Sequence, residues 1–381
     1  MPTREPHDLI ASAIRTLEDA GGPGPAPATA WAPGRCTLVG EHVDYAGGNV
    51  LCVAVDLGIA VAARASATSR YLVASGDTVV ARSGAGPEGD IGDRAFAPVL
   101  ALRERGFAVP VIEVGIAATL PSGAGLASSA ALIVAVSTAV LRLLGATLTA
   151  RDLAAAALAA ERDIAGIPCG PLDQRAVIDA ADGGALLLDC RTGDETTVPW
   201  PWADVLLVGC DTGTHHDVGG AEYRRRRKET ESGLKALGVA SCQDLRDALI
   251  DAAALDLTVK RRLRHVMGES VRAGEAAEAL RRGDVAALGG LMSASHQSLR
   301  DLHEVSTPAL DAVVRAAEAV TGCAGARMVG AGFGGAVAAL VTRTGADPCR
   351  RAMSAACGGG RTFELRPSPG VAVLARDVVR D

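Results

Sequence analysis

The sequence predicts an α+β protein of two lobes, in which helices pack on mixed sheets. The chain has 381 residues, which is long for one hydrophobic core and sufficient for two. Strand-like and helical stretches mix without the strict rhythm of a doubly wound parallel sheet, and a new series of elements begins near residue 200 with a buried strand. We therefore expect one lobe over residues 1–195 and a second over residues 196–381.

The elements of the first lobe are predicted from hydrophobic periodicity and from the placement of glycine and proline. An amphipathic helix is expected over residues 7–19, before a linker rich in proline, glycine and alanine. β-Branched residues alternate between Cys36 and Ser66, which predicts strands there. The other predicted elements are a strand from Val109, a loop and a long apolar helix from Leu120, helices over 151–165 and from 171 to 180, and a strand A-L-L-L-D-C from Ala185.

The second lobe begins with a predicted buried strand in W-A-D-V-L-L-V-G-C-D-T, which starts at Trp202. A basic run from Arg224 to Lys228 opens a helix, and several further helices follow to about residue 320. Two more strands, G-A-V-A-A-L-V from Gly335 and V-A-V-L-A-R from Val371, are expected near the end of the sequence, beside a glycine-rich turn.

Composition and charge exclude several classes of function. The formal net charge is -6, which argues against a surface that binds nucleic acid. No apolar run reaches the length that spans a membrane, and M-P-T-R-E-P-H-D-L-I lacks the apolar core of a signal peptide. We therefore expect a cytoplasmic protein that binds neither nucleic acid nor membranes.

The cysteines give no sign of a metal site or of a disulfide framework. There are nine, and no two of them form a C-x-x-C pair. We expect reduced thiols that pack as small hydrophobic side chains.

A dense polar cluster lies in G-E-H-V-D-Y-A-G-G, from Gly40 to Gly48. It places two carboxylates, an imidazole and a phenol between apolar residues, shortly after Arg35. Surfaces rarely gather so many different hydrogen-bonding groups in so few residues, so a ligand site is one interpretation. The alternatives are a buried structural histidine at His42, and a turn formed by Asp44 and Tyr45 ahead of a glycine pair.

A glycine-rich loop, P-S-G-A-G-L-A-S-S-A from Pro121 to Ala130, precedes the long apolar helix. Glycines allow several backbone N–H groups to point one way, and the positive N-terminal end of the helix adds to them, which together suits phosphate. The loop lacks the lysine of G-x-x-x-x-G-K-S/T and is not the G-x-G-x-x-G dinucleotide pattern. An ordinary strand-to-helix turn with a serine cap is the alternative.

A second glycine-rich stretch, A-R-M-V-G-A-G-F-G-G-A-V, runs from Ala326 to Val337. Its glycines remove side chains where the backbone must approach something closely. A tight hairpin would also explain it, but two such loops together with the acidic cluster favour a binding site.

These segments, in this order, resemble the GHMP kinase superfamily and, within it, the galactokinases. A-P-G-R-C-T-L-V-G-E-H-V-D-Y is similar to the sugar signature, P-S-G-A-G-L-A-S-S-A to the ATP-phosphate loop, and M-V-G-A-G-F-G-G-A to the third motif. Two further segments fit galactokinases in particular, G-I-P-C-G-P-L-D-Q from Gly166 and S-H-Q-S-L-R-D-L-H-E-V-S-T-P-A-L-D from Ser295. The resemblance spans about residues 31–340 and implies a two-lobed fold with N-terminal and C-terminal GHMP kinase domains and an active site between them.

The chemistry that the resemblance implies is transfer of the γ-phosphoryl group of ATP to the anomeric C1 hydroxyl of a sugar. Asp173 would accept the proton of that hydroxyl. Arg35 would lie beside it, keep the aspartate ionised and stabilise charge in the transition state. The alternative for Asp173 is an acid that favours the N-terminus of a helix.

The same resemblance assigns the acidic cluster to the sugar. Glu41, His42 and Asp44 would hydrogen-bond its hydroxyls, because a carboxylate accepts from two hydroxyls at once. Tyr223 would line the sugar pocket, and the backbone of Gly170 would face the sugar.

ATP and Mg²⁺ are the implied cosubstrate and metal. Glu161 and Ser129 would hold Mg²⁺ between the β- and γ-phosphates, which suits an ion that prefers sparse oxygen ligands. An exposed helix glutamate is the alternative for Glu161. The residues that would bind the nucleotide phosphates are Pro121, Gly123, Ala124, Gly125, Leu126, Ser128, Ser129 and Gly332.

The sequence also departs from the usual galactokinase pattern. Thr37 and Ala46 replace asparagines, Cys52 replaces a proline, and His303 replaces a tyrosine. Ala127 and Ile133 also depart, in the phosphate loop and in its helix. We predict galactose as the acceptor, with a different or larger sugar of a specialised pathway as the alternative.

Two further alternatives come from the same residues. One arginine of the run Arg224 to Lys228 could meet a phosphate already on the sugar, although a solvated helix face is the simpler interpretation. A non-catalytic sensor of sugar and ATP is the alternative from another class, and the retained Arg35 and Asp173 argue against it. Mevalonate or homoserine kinases fit poorly, because they lack the G-E-H-x-D-Y cluster.

Overall fold

The structure is a computed structural model that describes residues 5–181, 183–214 and 220–371. The strands of this described part are β1 (Ala28–Val39), β2 (Asn49–Ala65), β3 (Tyr71–Ser75), β4 (Thr78–Arg82), β5 (Ile112–Ala118), β6 (Gly184–Asp189), β7 (Glu195–Pro199), β8 (Val205–Asp211), β9 (Cys323–Val329), β10 (Ala336–Thr342) and β11 (Thr362–Leu365). Its α-helices are α1 (Pro6–Gly21), α2 (Gly92–Glu104), α3 (Ser128–Leu143), α4 (Ala150–Ala159), α5 (Leu172–Asp179), α6 (Ala221–Leu237), α7 (Asp247–Ala252), α8 (Leu257–Arg281), α9 (Val285–Ser298), α10 (Pro308–Glu318) and α11 (Arg343–Ala356).

The first sheet runs in the order β4-β3-β5-β2-β6-β7, with β1 paired to β2. Its pairs are antiparallel except β3 with β5. Strand β2 is apolar on both faces because a helix covers each one. Ala60 and Ala62 pack with α1, whereas Val61 and Ala63 belong to the core that includes α3.

The second sheet is antiparallel in the order β11-β8-β10-β9. Helices α10 and α11 cover one face, against Leu206 and Val208 of β8. Leu207, on the other face, belongs to the same large core as α3 and the first sheet. The two lobes therefore share a continuous apolar interior, which positions the segments that lie between them.

The predicted class, α+β with helices packed on sheets, is confirmed, and the described residues form two sheets. Most predicted elements are present, but the helix expected over 151–165 changes at Ala160 into a π-helical turn, Ala160–Ile164. Helices α2 and α11 and the strands β3, β4, β7, β9 and β11 were not predicted. Strands β3, β4, β7 and β11 have only four or five residues each, which is too short for a clear periodic pattern. The strand predicted from Val371 lies outside the described residues except for Val371 itself.

The lobe boundary between residues 195 and 196 stays a prediction. The strand β7, which spans that boundary, pairs with β6 of the first sheet along its whole length. Within the described ranges, none of the helices combines the length and apolar character needed to cross a membrane.

Candidate active site

A cavity of about 670 Å³ lies between the lobes, within the usual size range of small-molecule sites. Its two ends differ in chemistry. We call one the acidic end, which consists of Glu41, His42, Asp44 and Tyr223. We call the other the loop end, which consists of Arg94, Glu161 and the loop residues that line the cavity, Ser122, Gly123, Gly125, Ala127, Ser128 and Ser129. Arg35 and Asp173 line the cavity as well.

Arg35 and Asp173 form an ion pair between a buried guanidinium and a partly exposed carboxylate, as the galactokinase resemblance predicted. The Nε and Nη2 atoms of Arg35 lie 2.9 Å and 2.8 Å from Oδ1 of Asp173. Asp173 is the second residue of α5, so the expectation of an acid near a helix N-terminus holds at the same time. Arg35 also donates through Nη1 to the carbonyl of Gly125, which fixes the pair against the glycine-rich loop.

Burial and charge act in opposite directions on this pair. Burial raises the pKa of Asp173 above its ordinary value; Arg35 lowers it and Glu41 raises it. Burial lowers the pKa of Arg35, but the charges of Asp173 and Glu41 outweigh it, so the net pKa is raised. Arg35 thus opposes protonation of Asp173, as expected, yet the carboxyl remains more basic than an exposed aspartate.

The second lobe holds Glu41 and His42 in place. The backbone N–H of Gly330 donates to Oε1 of Glu41 over 2.6 Å, and Nε2 of His42 donates to the carbonyl of Ala331 over 2.9 Å. Both partners belong to the second glycine-rich stretch. The sequence singled out that stretch but could not show that its backbone binds the acidic cluster.

A buried ionic network supports Glu41 from behind. Nη2 of Arg327 lies 3.8 Å from Glu41, and Nη1 lies 3.9 Å from Glu269. Glu269 also accepts the N–H of Gly40 over 2.9 Å, which ties α8 to the start of the acidic cluster. Burial raises the pKa of Glu269, but Arg272 and Arg327 bring it down to about 2. Sequence analysis missed these residues, because they come from separate elements with no shared motif.

Asp44 faces the cavity from a 3-10 turn, Asp44–Ala46. Burial, and next the charge of Asp173, raise the pKa of Asp44 to about 6. A Cβ atom at Gly170 would come within 1.9 Å of Oδ2 of Asp44, so only glycine fits beside this carboxylate. Gly170 contacts Asp44 in this way and does not itself line the cavity.

Aromatic rings pack behind and beside Asp44. Tyr223 lines the cavity, and its ring centroid lies 5.5 Å from that of His42. The hydroxyl of Tyr45 donates to Nδ1 of His42 over 3.1 Å and accepts from Nε2 of His303 over 3.3 Å. Burial lowers the pKa of His42 to about 4, which keeps the imidazole neutral in this chain of hydrogen bonds.

The two glycine-rich stretches face each other at the loop end. A Cβ atom at Gly125, where φ is +73°, would come within 2.3 Å of the Val329 carbonyl. One at Gly330 would come within 2.7 Å of the Cα atom of Gly125. The close approach predicted for the second stretch is therefore contact with the first one.

Only part of the predicted phosphate-binding set lines the cavity. Gly123, Gly125, Ser128 and Ser129 do so. The others pack elsewhere: Ala124 and Leu126 belong to the core, the carbonyl of Val305 lies against Gly332, and Pro121 is buried outside the lining.

Glu161 is buried beside Ser129, so it is not an exposed helix glutamate. Burial raises the pKa of Glu161 to about 7, although contacts with Ser129 and Gln174 lower it. Nε2 of Gln174 donates to Oε2 of Glu161 over 2.6 Å. In the described part of the chain, the buried Oγ of Ser129 and Oε1 of Gln174 lack a hydrogen-bond partner of good geometry.

The departures from the galactokinase pattern lie mostly outside the cavity. Thr37, Ala46, Cys52 and Ile133 are buried and do not line it, whereas Ala127 does. His303 lies in a second layer behind His42, with ring centroids 4.5 Å apart. None of these departures therefore lies in the lining of the acidic end.

The basic run is mainly structural. Arg226 donates to the carbonyls of His303 and Glu304, and Arg227 donates to the carbonyl of Cys169 over 3.2 Å. Arg225 pairs with Glu222, while Arg224 lines the cavity. The solvated-face interpretation is therefore incomplete, since two of these arginines fix α6 to its surroundings.

Comparison with known proteins first defines the class. The sequence matches the GHMP kinases N terminal domain over residues 94–180 and the GHMP kinases C terminal domain over residues 276–359. It also matches the galactokinase galactose-binding signature over residues 18–65. The fold is similar to that of mevalonate kinase from L. major, with a TM-score of 0.65 at 20% identity, over 90% of this chain and 97% of the other. The chain is thus a GHMP kinase.

Closer relatives define the family. The chain is 36% identical to a galactokinase of Roseiflexus sp. over 89% of this chain and 91% of that protein, and 36% identical to a galactokinase of Homo sapiens over 96% and 97%. A crystal structure of Lactococcus lactis galactokinase with galactose matches with a TM-score of 0.88 at 26% identity, over 95% of this chain and 99% of the other. The chain belongs to the galactokinase family and is an ATP-dependent sugar kinase, a phosphotransferase with an alcohol group as acceptor.

Proposed function

We propose that this protein transfers the γ-phosphoryl group of ATP to the anomeric hydroxyl of galactose. The observation that carries the proposal is the Arg35–Asp173 pair, which lies in one cavity with both the acidic end and the loop end. The match to a galactose-binding signature supports galactose, as does the similarity to a galactokinase crystallised with that sugar. None of the departures from the galactokinase pattern lies in the lining of the acidic end, which supports galactose over a larger acceptor.

Asp173 is the proposed base for the sugar hydroxyl. Its raised pKa makes it a better proton acceptor than an exposed aspartate, while Arg35 favours the ionised form that the reaction requires. Arg35 also carries the positive charge nearest to this base and would stabilise negative charge on the phosphoryl group.

Glu41, His42, Asp44 and Tyr223 are proposed to bind the sugar. Asp44 contributes an ionised acceptor above its pKa of about 6, so it suits two hydroxyls of a neutral sugar. Glu41 and His42 already bind the backbone of the second lobe, so their remaining capacity would orient the sugar within a fixed frame.

The loop end is proposed to bind the phosphates of ATP together with Mg²⁺. A buried carboxylate at Glu161 beside an unpartnered hydroxyl at Ser129 fits the sparse oxygen ligation of this ion. No group of three or more His, Cys, Asp or Glu within the described ranges could hold a metal. Phosphate oxygens would therefore complete the coordination, and the ion would neutralise charge on the phosphates.

The test is ADP release from Mg-ATP with a panel of free sugars and sugar phosphates, followed by NMR of the product. We expect galactose to turn over fastest and to carry the new phosphate at C1. Turnover of a sugar phosphate but not of galactose would overturn the acceptor, and phosphate at another carbon would overturn the site of transfer. ATP and sugar binding without turnover would favour the sensor alternative.

A further inference from the structure

The loop end contains a cation that none of the assigned roles uses. Arg94 lies in the first turn of α2 and lines the same cavity as Ser128 and Ser129. Its side chain is exposed, and it forms no hydrogen bond or ion pair with any residue in the ranges 5–181, 183–214 and 220–371. An unpaired arginine in a site for a polyanion needs an explanation.

The segment before α2 is built so that nearby acids do not pair with Arg94. Asp93 accepts hydrogen bonds from Arg82 over 2.8 Å and from the backbone N–H groups of Glu88 and Gly89 over 2.7 Å and 2.8 Å. Asp90 also pairs with Arg82. The buried Arg82 thus draws both carboxylates away and fixes the turn from which Arg94 projects.

The charges that line the cavity indicate why the loop end needs the cation of Arg94. Four carboxylates line the cavity, at Glu41, Asp44, Glu161 and Asp173, against three arginines, Arg35, Arg94 and Arg224. Arg35 is committed to Asp173, and Arg224 belongs to α6, the helix of Tyr223 at the acidic end. A nucleotide triphosphate adds several more negative charges, so the loop end needs positive charge from the protein as well as from a metal ion.

The position of Arg94 favours phosphate over the base. Three residues earlier, Ile91 lines the cavity with Ile116 and Leu132, an apolar wall suited to a purine. Arg94 comes after Ile91 in the chain and is close enough to Glu161 that its charge lowers the pKa of that carboxyl. Arg94 therefore shares one cavity with the apolar wall and with the proposed metal ligand, and its charge reaches that ligand.

We propose that Arg94 binds the phosphate chain of the donor nucleotide. This inference rests on the proposed function for the identity of the nucleotide, but it is tested without any sugar. Arginine can donate two parallel hydrogen bonds to phosphate, a geometry that lysine cannot reproduce.

The experiment is calorimetric titration of the whole protein with adenosine, AMP, ADP and a non-hydrolysable ATP analogue, in the presence of Mg²⁺. For Arg94→Met we expect adenosine to bind as in the parent protein, whereas the ATP analogue binds about tenfold more weakly or worse. The first nucleotide of the series that loses affinity identifies the phosphate that Arg94 contacts. Arg94→Lys should recover part of the loss.

A matched control is Arg151→Met, which removes an exposed arginine of α4 that does not line the cavity. It should bind every nucleotide as the parent does. Thermal melting should be the same for both variants, because neither side chain has a partner in the described part of the chain. Equal weakening of adenosine and of the ATP analogue would overturn the proposal in favour of a contact with the base or ribose.

Unchanged binding of all four ligands by Arg94→Met would also overturn the proposal and leave Arg94 as a solvated side chain. Failure of the parent protein to phosphorylate galactose would instead overturn the proposed acceptor. The nucleotide titrations would still decide the role of Arg94 in that case.

Discussion

The two ends of the cavity differ in how far their polar groups are already satisfied. At the acidic end, Glu41 and His42 bind backbone groups of the second lobe. At the loop end, the Oγ atom of Ser129 touches Glu161 but has no hydrogen-bond partner of good geometry within the described residues, and Arg94 forms no ion pair there. A neutral sugar needs a rigid set of acceptors, whereas a phosphate chain with its metal supplies strong charge of its own.

The difference indicates that the acidic end is preorganised, whereas the loop end holds charged and polar groups for a ligand. Contacts between the lobes position the acidic end. The free-energy cost of ordering its side chains is therefore met when the protein folds and not when the sugar binds. The loop end retains a buried carboxylate, Glu161, whose pKa is about 7 although Ser129 and Gln174 lower it, and a bound cation would stabilise its ionised form further. The following four predictions test this division, beginning with the group that lies between the ends.

Asp173→Asn should have the largest effect, because it removes the proposed base shared by the two ends. We expect kcat to fall by about 10³-fold or more, with nucleotide affinity nearly unchanged. Steady-state kinetics and calorimetry measure the two quantities. Asp163→Asn, at an exposed acid paired with Arg162, is the control and should retain full activity. Retained turnover in Asp173→Asn would remove it from the role of base.

Glu161→Gln should separate function from stability at the loop end. We expect Mg²⁺ to lose most of its effect on ATP affinity, about a 10²-fold loss if the carboxylate is a ligand. Without metal, however, the variant should unfold at a higher temperature at pH 8. The amide can donate to the unpartnered Oε1 of Gln174 and still accept from its Nε2.

The pKa of Glu161 determines how stability should change with pH in the parent protein and in Glu161→Gln. The pKa of Glu161 is raised from 4.5 to about 7, so the folded state favours the protonated form. Its ionisation costs stability as pH rises from about 4.5 to 7, up to roughly 3 kcal/mol, and Glu161→Gln should abolish that dependence. If the melting temperature of Glu161→Gln at pH 8 is lower than that of the parent, ionised Glu161 does not destabilise the fold.

Asp44→Asn should affect the sugar alone, because the acidic end is separate from the phosphates. We expect KM for galactose to rise about tenfold or more, since one oxygen acceptor becomes a donor, while KM for ATP changes less than about twofold. Asp56→Asn is a matched control, because burial also raises the pKa of Asp56 but it does not line the cavity. An equal rise in KM for galactose and in KM for ATP would contradict the separation of the acidic end from the loop end.

The pH dependence of galactose binding should show the smallest effect. The pKa of Asp44 is raised to about 6, so the acceptor form is lost as pH falls below that value. We expect galactose affinity, measured without nucleotide, to decrease by up to about tenfold per pH unit below 6. Asp44→Asn should flatten the profile, whereas Asp56→Asn should not. A parent profile that is flat between pH 5 and 7 would assign the sugar contact to other groups.

The family and most of the site came from local sequence. Arg35, Asp173, Asp44 and the loop serines occupy short motifs, in which spacing along the chain already limits which groups can meet. The ion pair between Arg35 and Asp173, which are 138 residues apart, was expected from the galactokinase resemblance and is present. Within each motif, prediction succeeds because residues in one turn or strand are neighbours whatever the rest of the fold does.

Other parts of the site have no local signal. Glu269 and Arg327, which support Glu41, come from a long helix and a strand far from it in sequence. The same is true of Arg94, which lies in a short helix with a weak apolar pattern. Gly332 fitted the predicted phosphate motif, yet it packs against Val305 and does not line the cavity.

The sequence by itself determined the class of fold, the chemistry of the cavity and the residues placed at its centre. Only the tertiary structure decided how the two lobes hold those residues, because hydrogen bonds such as Gly330 to Glu41 join positions 289 residues apart. It also decided which charges are desolvated. Burial of Glu161, Asp44 and Asp173 raises their pKa values through the surrounding atoms of the whole fold, which no motif specifies.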